Sequence, residues 1–255
     1  MSNANGRFIW HELSTTDLDA ATTFYGRIAP WSTQQFEEST YTMWLNGGQP
    51  MGGLVPMKPE LVARNMPPHW MPYVQVYDVD ESARHVEALG GQIRYGPNEV
   101  PNVGCWAIIA DPQGATVGLY EPDTEGPRVV ATDRAGDFTW HELMTTDAAA
   151  ASDFYRSLFK WEKAGESSSG PTGMYYTYGL GGEPFIGMFN KSPEMPPPSW
   201  WSYIHVDDAA KSAGDVTAAG GRVMNGPMQV PGGDWIAVCG DPQGAQFALH
   251  STKKP

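Results

Sequence analysis

Two glutamates carry the side chains in this sequence that are best placed to do chemistry. Glu12 and Glu142 occupy the same position in two similar stretches, FIWHELSTTD and FTWHELMTTD, and each lies two residues after a tryptophan, Trp10 or Trp140. Residues two apart on a β-strand share a face, so each carboxylate is predicted to lie beside an indole. Loss of hydration there raises the pKa of a carboxyl group unless a hydrogen-bond donor pairs with it. Glu12 and Glu142 are therefore candidate general bases, and a structural hydrogen-bond acceptor is the alternative role.

Metal binding is a second candidate chemistry, in the second half of the chain. Glu142, His205 and His250 are predicted to share one strand face, and two histidines with one carboxylate form a ligand set that suits zinc or iron. This alternative site would hold a divalent metal such as Zn, Fe, Mn or Ni. The first half offers a weaker set at the corresponding positions: Glu12, Gln75 and Tyr120.

His11 and His141 come directly before the two glutamates and are predicted to point to the opposite strand face. In the first half that face also carries Leu13 and is expected to pack beneath a helix, while Phe8 shares the face of Glu12. A structural role is therefore predicted for both histidines, and a ligand or catalytic role is the alternative.

An internal repeat supplies the elements that position these residues. Residues 8–17 return as residues 138–147, an offset of 130 residues in a chain of 255. Because internal repetition determines the fold, two similar domains are predicted. Further matching pairs are Phe24-Tyr25 with Phe154-Tyr155, Trp70 with Trp200, Gly90-Gly91 with Gly220-Gly221, and Asp111-Pro112-Gln113-Gly114 with Asp241-Pro242-Gln243-Gly244. We assign residues 1–124 to the first domain, 125–136 to a polar linker and 137–255 to the second domain.

Periodicity and turn signals predict the same order of elements twice in the first domain. Asp17 is a good N-cap for a helix, and Gly90-Gly91 ends a second helix as a left-handed cap. Helices are predicted over 18–28 and 80–89, and strands over 8–14, 33–45, 51–56, 70–77, 92–95, 105–110 and 115–121. Residues 58–68 are predicted to be a connection. Residues 33–45 and 51–56 are predicted to form short strands around the turn Asn46-Gly47-Gly48. Residues 8–56 and 70–121 are each assigned the order of strand, helix and three strands, and the second domain repeats it.

Composition argues against some classes of partner and location. The net charge is −13, whereas nucleic acids and anionic membranes both require a basic surface, so neither is an expected partner. No apolar run approaches the length of a membrane span, and no secretion signal is recognised. The two cysteines, Cys105 and Cys239, do not occupy equivalent repeat positions, which argues against a disulfide framework. A cytoplasmic location is expected, for a monomer or a homodimer.

Four tandem modules of strand, helix and three strands resemble the vicinal oxygen chelate superfamily, which includes glyoxalase I, bleomycin-resistance proteins and extradiol dioxygenases. The resemblance covers nearly the whole chain. Its motifs are the run from Thr16-Asp17 to Phe24-Tyr25, the strand end Val76-Tyr77-Asp78 and the turn Asp111-Pro112-Gln113-Gly114, which recur in the second half. The resemblance implies an α+β fold of tandem glyoxalase-like domains. In each domain two paired βαβββ modules would form a curved mixed sheet around a cleft.

The resemblance also implies a divalent metal in each cleft, held by His, Gln or Glu side chains from the first and last strand of each module. Alignment on Asp17, Asp78 and Asp111 places other residue types at those positions. They are Trp10, Gly53, Met71 and Gly118 in the first half, and Trp140, Gly187, Trp201 and Ala248 in the second. Glycine and alanine offer no donor atom, tryptophan offers only an N–H, and a thioether is too soft for these ions. No metal or other cofactor is therefore expected at the usual positions.

The two clefts are expected instead to bind a small, largely apolar or aromatic molecule, as bleomycin-resistance relatives do. The predicted ligand-binding residues are those with cleft parity: Trp10, Tyr73, Gln75, Tyr120, Trp140, Trp201, Tyr203, His205 and His250. Aromatic walls with few polar groups suit such ligands, although the same side chains could simply fill the cleft. The alternative is a lyase, isomerase or dioxygenase that uses the displaced metal site or a glutamate base. A structural or signalling partner with filled clefts is a third hypothesis.

Overall fold

The structure of the protein, a computed structural model, describes residues 4–36, 41–123, 134–168 and 173–252. All but the last three residues of the predicted linker, 125–136, lie outside these ranges, so the domain boundaries stay a prediction. Within the described ranges no helix has both the length and the apolar character needed to cross a membrane.

The secondary structure follows the repeat. The first half contains β1 (Phe8–Thr15), α1 (Leu18–Ile28), β2 (Trp31–Gln35), β3 (Thr42–Asn46), β4 (Gln49–Pro56), α2 (Pro59–Ala63), β5 (His69–Gln75), α3 (Val79–Ala88), β6 (Gln92–Val100), β7 (Gly104–Ala110) and β8 (Thr116–Pro122). The second half contains β9 (Phe138–Thr145), α4 (Ala148–Phe159), β10 (Glu162–Ser168), β11 (Met174–Leu180), β12 (Glu183–Asn190), β13 (Ser199–His205), α5 (Ala209–Ala218), β14 (Arg222–Gln229), β15 (Trp235–Gly240) and β16 (Gln246–Ser251). Helix α2 was not predicted: it lies in the segment assigned to a connection, where Pro59 suits the first turn of a helix.

Two eight-stranded mixed sheets, one from each half, confirm the predicted α+β class and the tandem arrangement. Their strand orders are β2-β3-β4-β1-β5-β8-β7-β6 and β10-β11-β12-β9-β13-β16-β15-β14. In every module the first and last strands pair in parallel: β1 with β4, β5 with β8, β9 with β12 and β13 with β16. The hairpins within the modules are antiparallel, as their short turns require.

Two compact units each combine segments from both sequence halves. Unit 1 comprises Met1–Ile9, Pro72–Val129 and His141–Trp200, and unit 2 comprises Trp10–Met71, Val130–Trp140 and Trp201–Pro255. The core of unit 1 includes Val74, Leu119, Leu143, Phe154 and Ile186. The core of unit 2 includes Leu13, Phe24, Leu54, Ile204 and Leu249. Helices α3 and α4 therefore belong to unit 1, and α1 and α5 belong to unit 2.

A tyrosine–aspartate network joins a helix to a turn in each unit. In unit 2 the Trp70 indole N–H donates to the Tyr25 hydroxyl oxygen at 2.8 Å, and that hydroxyl donates to Asp241 Oδ2 at 3.2 Å. Burial raises the pKa of Asp241, although backbone N–H groups of its turn partly oppose the shift. Unit 1 contains the same network, made by Trp200, Tyr155 and Asp111 at 3.0 and 3.1 Å. The Asp-Pro-Gln-Gly turns predicted from the sequence thus anchor helices α1 and α4.

The first strand of the chain buries alternate residues from Ile9 onward, as predicted. His11 is buried and stacks on Phe138 within unit 2, with ring centroids 3.8 Å apart. Burial lowers the pKa of His11 to about 3, which agrees with a structural role. Phe8 departs from the predicted alternation, because it is buried in unit 1 and stacks on His141 at 3.8 Å. The strand passes from one unit to the other after Ile9, so Phe8 contributes to a different core.

Candidate functional site

Glu12 lies in a short hydrogen-bonded network within unit 2. The Tyr41 hydroxyl donates to Glu12 Oε2 at 2.9 Å and accepts a hydrogen bond from the Trp10 indole N–H at 3.0 Å. Strand β1 carries the glutamate and the tryptophan, and Tyr41 comes directly before β3. This contact supports the acceptor role for Glu12 over the role of a general base.

Glu142 has an equivalent partner within unit 1. The Tyr175 hydroxyl donates to Glu142 Oε1 at 2.7 Å, and the Tyr175 ring stacks on Phe189 with centroids 6.2 Å apart. Glu142 is more deeply buried than Glu12, with 9% of its surface exposed. The two halves therefore keep the same tyrosine–glutamate pair, and both candidate bases accept a hydrogen bond from a tyrosine.

Two glycines at the implied metal positions are covered by tyrosine side chains. In unit 2, a Cβ atom on Gly53 would overlap the Tyr41 hydroxyl. In unit 1, a Cβ atom on Gly118 would overlap the Tyr73 ring. Any larger residue would have to displace the tyrosine, so packing accounts for glycine at both places.

The side chains at the implied metal positions do not fit a metal ion. Trp10 and Trp201 present indole N–H groups, which donate hydrogen bonds and have no lone pair for a metal, and Met71 is a buried thioether. Over the described part of the chain, no group of three or more His, Cys, Asp or Glu side chains is arranged to hold a metal ion. The alternative set predicted from the sequence, Glu142, His205 and His250, is therefore not arranged as such a group.

Four aromatic side chains lie on one face of strands β5 to β8 in unit 1, and we call them the aromatic platform: Tyr73, Tyr95, Trp106 and Tyr120. Tyr95 stacks on Trp106 with ring centroids 5.2 Å apart and planes inclined by 19°, and Trp106 meets Tyr73 edge-on at 6.4 Å. Tyr73 is buried, whereas Tyr95 is 44% exposed, so the platform runs from the core to an accessible ring. The Tyr120 hydroxyl donates to the Val103 carbonyl oxygen at 2.9 Å, and burial raises its pKa.

His205 and His250 occupy the matching strand positions in unit 2, and Thr139 of β9 and Asp234, directly before β15, contact His250. We call these four residues the histidine cluster. His205 and His250 are register partners on the parallel strands β13 and β16, with ring centroids 5.6 Å apart. His250 Nδ1 lies 2.9 Å from the Thr139 hydroxyl, and its Nε2 lies 3.2 Å from Asp234 Oδ2. Trp201 and Tyr203 come before His205 on the same face of β13, and both are buried.

Two further predicted ligand-binding residues, Gln75 and Trp140, belong to neither the aromatic platform nor the histidine cluster. Gln75 is half-buried in unit 1, where its main-chain N–H donates to Arg7 O and its carbonyl oxygen accepts from Gly6 N. Trp140 is half-buried on β9 in unit 2. The predicted ligand-binding residues are therefore divided among several separate groups.

Six residues of these groups were missed from the sequence: Tyr41, Tyr95, Trp106, Thr139, Tyr175 and Asp234. Trp106 could have been found, because it has cleft parity on a strand that was predicted. The pair Tyr41 and Tyr175 was hidden by the slip in the repeat, since 175 − 41 = 134 rather than 130. Asp234 comes directly before β15 in a Gly-Gly-Asp turn, and no pattern in the sequence singles it out.

A depression of about 410 Å³ lies elsewhere in unit 2, beside the last turn of α1 and the first turn of α5. Arg27, Lys211 and Asp215 line it, and Lys211 pairs with Asp215 at 2.8 Å. It contains none of the residues predicted to bind a ligand. Its lining is an open surface with charged side chains.

Comparison with solved structures shows the fold class. The chain matches the Mn(II)-bound glyoxalase from Novosphingobium aromaticivorans with a TM-score of 0.67 and 12% identity, covering 98% of this chain and 83% of that one. It matches the 2,3-dioxygenase LapB from Pseudomonas sp. KL28 with a TM-score of 0.69 and 11% identity, covering 98% and 93%. At such low identity these matches show a shared fold and no more.

Sequence comparison shows the family. Residues 140–250 match the family model described as a glyoxalase-like domain. "Putative glyoxylase CFP32" of Mycobacterium tuberculosis is 32% identical over 247 residues, which cover 94% of this chain and 92% of the relative. "Anthracycline biosynthesis protein DnrV" of Streptomyces peucetius is 26% identical over 263 residues, covering 96% and 93%. The chain belongs to the glyoxalase-like proteins of the vicinal oxygen chelate superfamily.

Proposed function

We propose that this glyoxalase-like protein binds a small, largely apolar or aromatic molecule on its aromatic strand faces, with no metal ion at the positions that the superfamily resemblance implies. The observation that carries the proposal is the stacked pair Tyr95 and Trp106, whose outer ring is 44% exposed. A planar ligand can extend such a stack, and each aromatic pair contributes about 0.5–1.5 kcal/mol beyond the burial of area.

The chemistry of the aromatic platform supports an apolar ligand. The Tyr120 hydroxyl is engaged by the Val103 carbonyl, and burial raises the pKa of Tyr120, so this ring contributes a neutral aromatic surface. The covered Gly118 lets Tyr73 lie flat against strand β8. A relative named for anthracycline biosynthesis supports the same ligand class, since anthracyclines are planar aromatic molecules.

In unit 2, Trp201 and Tyr203 offer a second buried aromatic surface next to His205. Its side chains differ from those of the platform, because Trp106 corresponds to Ile236 and Tyr120 corresponds to His250 in the repeat. We propose that this face also binds an organic molecule, with more polar character.

Substitution of Trp106 tests the proposal on the platform. We expect Trp106→Ala to weaken binding of a planar hydroxyanthraquinone by about 3- to 10-fold, because one stacking partner is lost. Ile236→Ala removes a side chain from the equivalent repeat position in unit 2 and should leave the platform affinity unchanged. Fluorescence titration of the full chain measures both values. Equal affinities of Trp106→Ala and the unsubstituted protein would show that the aromatic platform does not bind this ligand.

The second candidate function is an enzyme that uses Glu12 or Glu142 as a base. One observation favours it: the tyrosine–glutamate pair is kept in both halves, at 2.9 and 2.7 Å. The experiment is Glu142→Gln, assayed for binding and for product formation with the same aromatic probes. Turnover that disappears while binding persists would favour the enzyme, and binding without turnover in the unsubstituted protein would favour a binding protein.

A further inference from the structure

We propose that the histidine cluster of unit 2 binds the hydroxyl group of a phenol-type ligand, with His205 as the residue that forms the hydrogen bond. The inference rests on the proposed function, because it assumes that this face takes an aromatic molecule, and it adds the polar group by which that molecule is recognised. His250 acts as a positioning residue beside His205.

The His205 side chain has an unmet hydrogen-bonding capacity. Only 5% of its surface is exposed, and its Nδ1 atom is buried without a hydrogen-bond partner among the described residues. Its main chain is fixed, since its N–H donates to Asp137 O and its carbonyl oxygen accepts from Gly136 N, both at 2.8 Å. A buried polar group without a partner is unfavourable, and a ligand that supplies the partner recovers that free energy.

His250 is held in place at both ring nitrogens. The Thr139 hydroxyl lies 2.9 Å from Nδ1 and the Asp234 carboxylate lies 3.2 Å from Nε2. Because both nitrogens are engaged, His250 has no ring nitrogen left for a ligand. Its ring faces His205 at a centroid distance of 5.6 Å, so it limits the positions that the His205 ring can adopt.

The surroundings of His205 favour a neutral aromatic hydroxyl over an anion. A hydroxyl group both donates and accepts, so it can pair with Nδ1 in either imidazole tautomer, whereas a carboxylate only accepts. The Asp234 carboxylate on His250 and the net charge of −13 both disfavour a second negative charge. Trp201 and Tyr203 are buried aromatic residues on the same face of β13 as His205.

The fold does not require the histidine cluster. The repeat-equivalent residues in the first half share none of its chemistry: Ile9, Gln75, Gly104 and Tyr120. Strands β5 and β8 nevertheless pair in the same register as β13 and β16. Because the first half forms the same strand pairing without these residues, we attribute the histidine cluster to ligand binding and not to stability.

The test compares two probes that differ only in the hydroxyl, 2-naphthol and naphthalene. Both are titrated calorimetrically into the full chain carrying Trp106→Ala, which weakens the platform. We expect 2-naphthol to bind about 10-fold more tightly, a factor typical of one buried hydrogen bond. Adding His205→Phe should abolish this preference, whereas adding His85→Phe, the same change on helix α3, should keep it. Since His205→Phe could disturb folding, the ¹⁵N resonance of His205 Nδ1 in the protein without that change should also shift on adding 2-naphthol and not on adding naphthalene.

Equal affinities for the two probes would overturn the inference and leave the proposed function standing. The same conclusion would follow if His205→Phe kept the preference or if the Nδ1 resonance did not respond to 2-naphthol. Failure of both probes to bind to this face would reject the proposed function for the second half, and the inference with it.

Discussion

At the scale of single residues, each candidate base accepts a hydrogen bond from a tyrosine hydroxyl. The sequence predicts that Glu12 and Glu142 lose hydration beside indoles and gain base strength unless a donor pairs with them. The donors are Tyr41 and Tyr175, at 2.9 and 2.7 Å. Tyr41 comes directly before β3 and Tyr175 lies on β11. The sequence pattern around each glutamate therefore could not identify its donor.

A buried histidine makes stability depend on pH. The folded-state pKa of His11 is lowered from 6.5 to about 3, so the unfolded chain takes up a proton at a pH where the folded protein does not. The contribution of His11 is therefore complete above pH 6.5 and is lost as pH falls toward 3, by about 1.4 kcal/mol per pH unit. We expect His11→Phe to flatten this part of the curve of unfolding free energy against pH.

Denaturant unfolding between pH 7 and pH 4 measures this slope. His85→Phe, a change on the half-buried face of helix α3, is the control and should keep the slope of the unsubstituted protein. A His11→Phe variant with the same acid sensitivity as the control would show that His11 is not the group responsible.

At the scale of elements, strand alternation predicted most of what positions the candidate site. Helix α1 was predicted with both ends correct, and Gly90, with φ of +85°, provides the predicted left-handed cap. The faces of β5, β8, β13 and β16 follow parity because one face of each strand packs on a hydrophobic core. The alternation of side chains along a strand cannot predict which residues of a face are in contact, because those contacts depend on the register between strands.

Gly53 offers a test at this scale. A Cβ atom there would overlap the Tyr41 hydroxyl, so we expect Gly53→Ala to lower the free energy of unfolding by about 1–3 kcal/mol, a typical cost of overpacking. Gly214→Ala is the matched control, because Gly214 lies in helix α5 with no atom within 4 Å of a Cβ, and it should stabilise by about 0.5–1 kcal/mol. Thermal or urea unfolding of both variants would contradict the packing account if Gly53→Ala cost nothing.

At the scale of the whole molecule, the repeat and the compact units divide the chain differently. The repeat predicts two sheets, one from each half, and the structure contains them. Each hydrophobic core nevertheless combines residues from both halves. The sequence could not predict this combination, because residues with the same pattern in either half are equally suited to either core.

This division predicts how a half-chain behaves. Residues 1–124 alone contain only part of each core, so we expect this fragment to unfold without a cooperative transition and to bind a dye specific for exposed apolar surface. Co-expression with residues 125–255 should restore cooperative unfolding. A fragment 1–124 that melts cooperatively by itself would contradict the account and would support the sequence halves as independent folding units.

We propose that these strand faces recognise organic surface and hold no metal ion at the positions that the superfamily resemblance implies. The most direct measurement is elemental mass spectrometry of the full chain after equilibration with Mn, Fe, Ni and Zn and exhaustive dialysis. We predict far less than one metal ion per chain, because indole and glycine supply no side-chain ligand atom there and a thioether is too soft for these ions. One tightly bound ion per chain after dialysis would contradict this proposal.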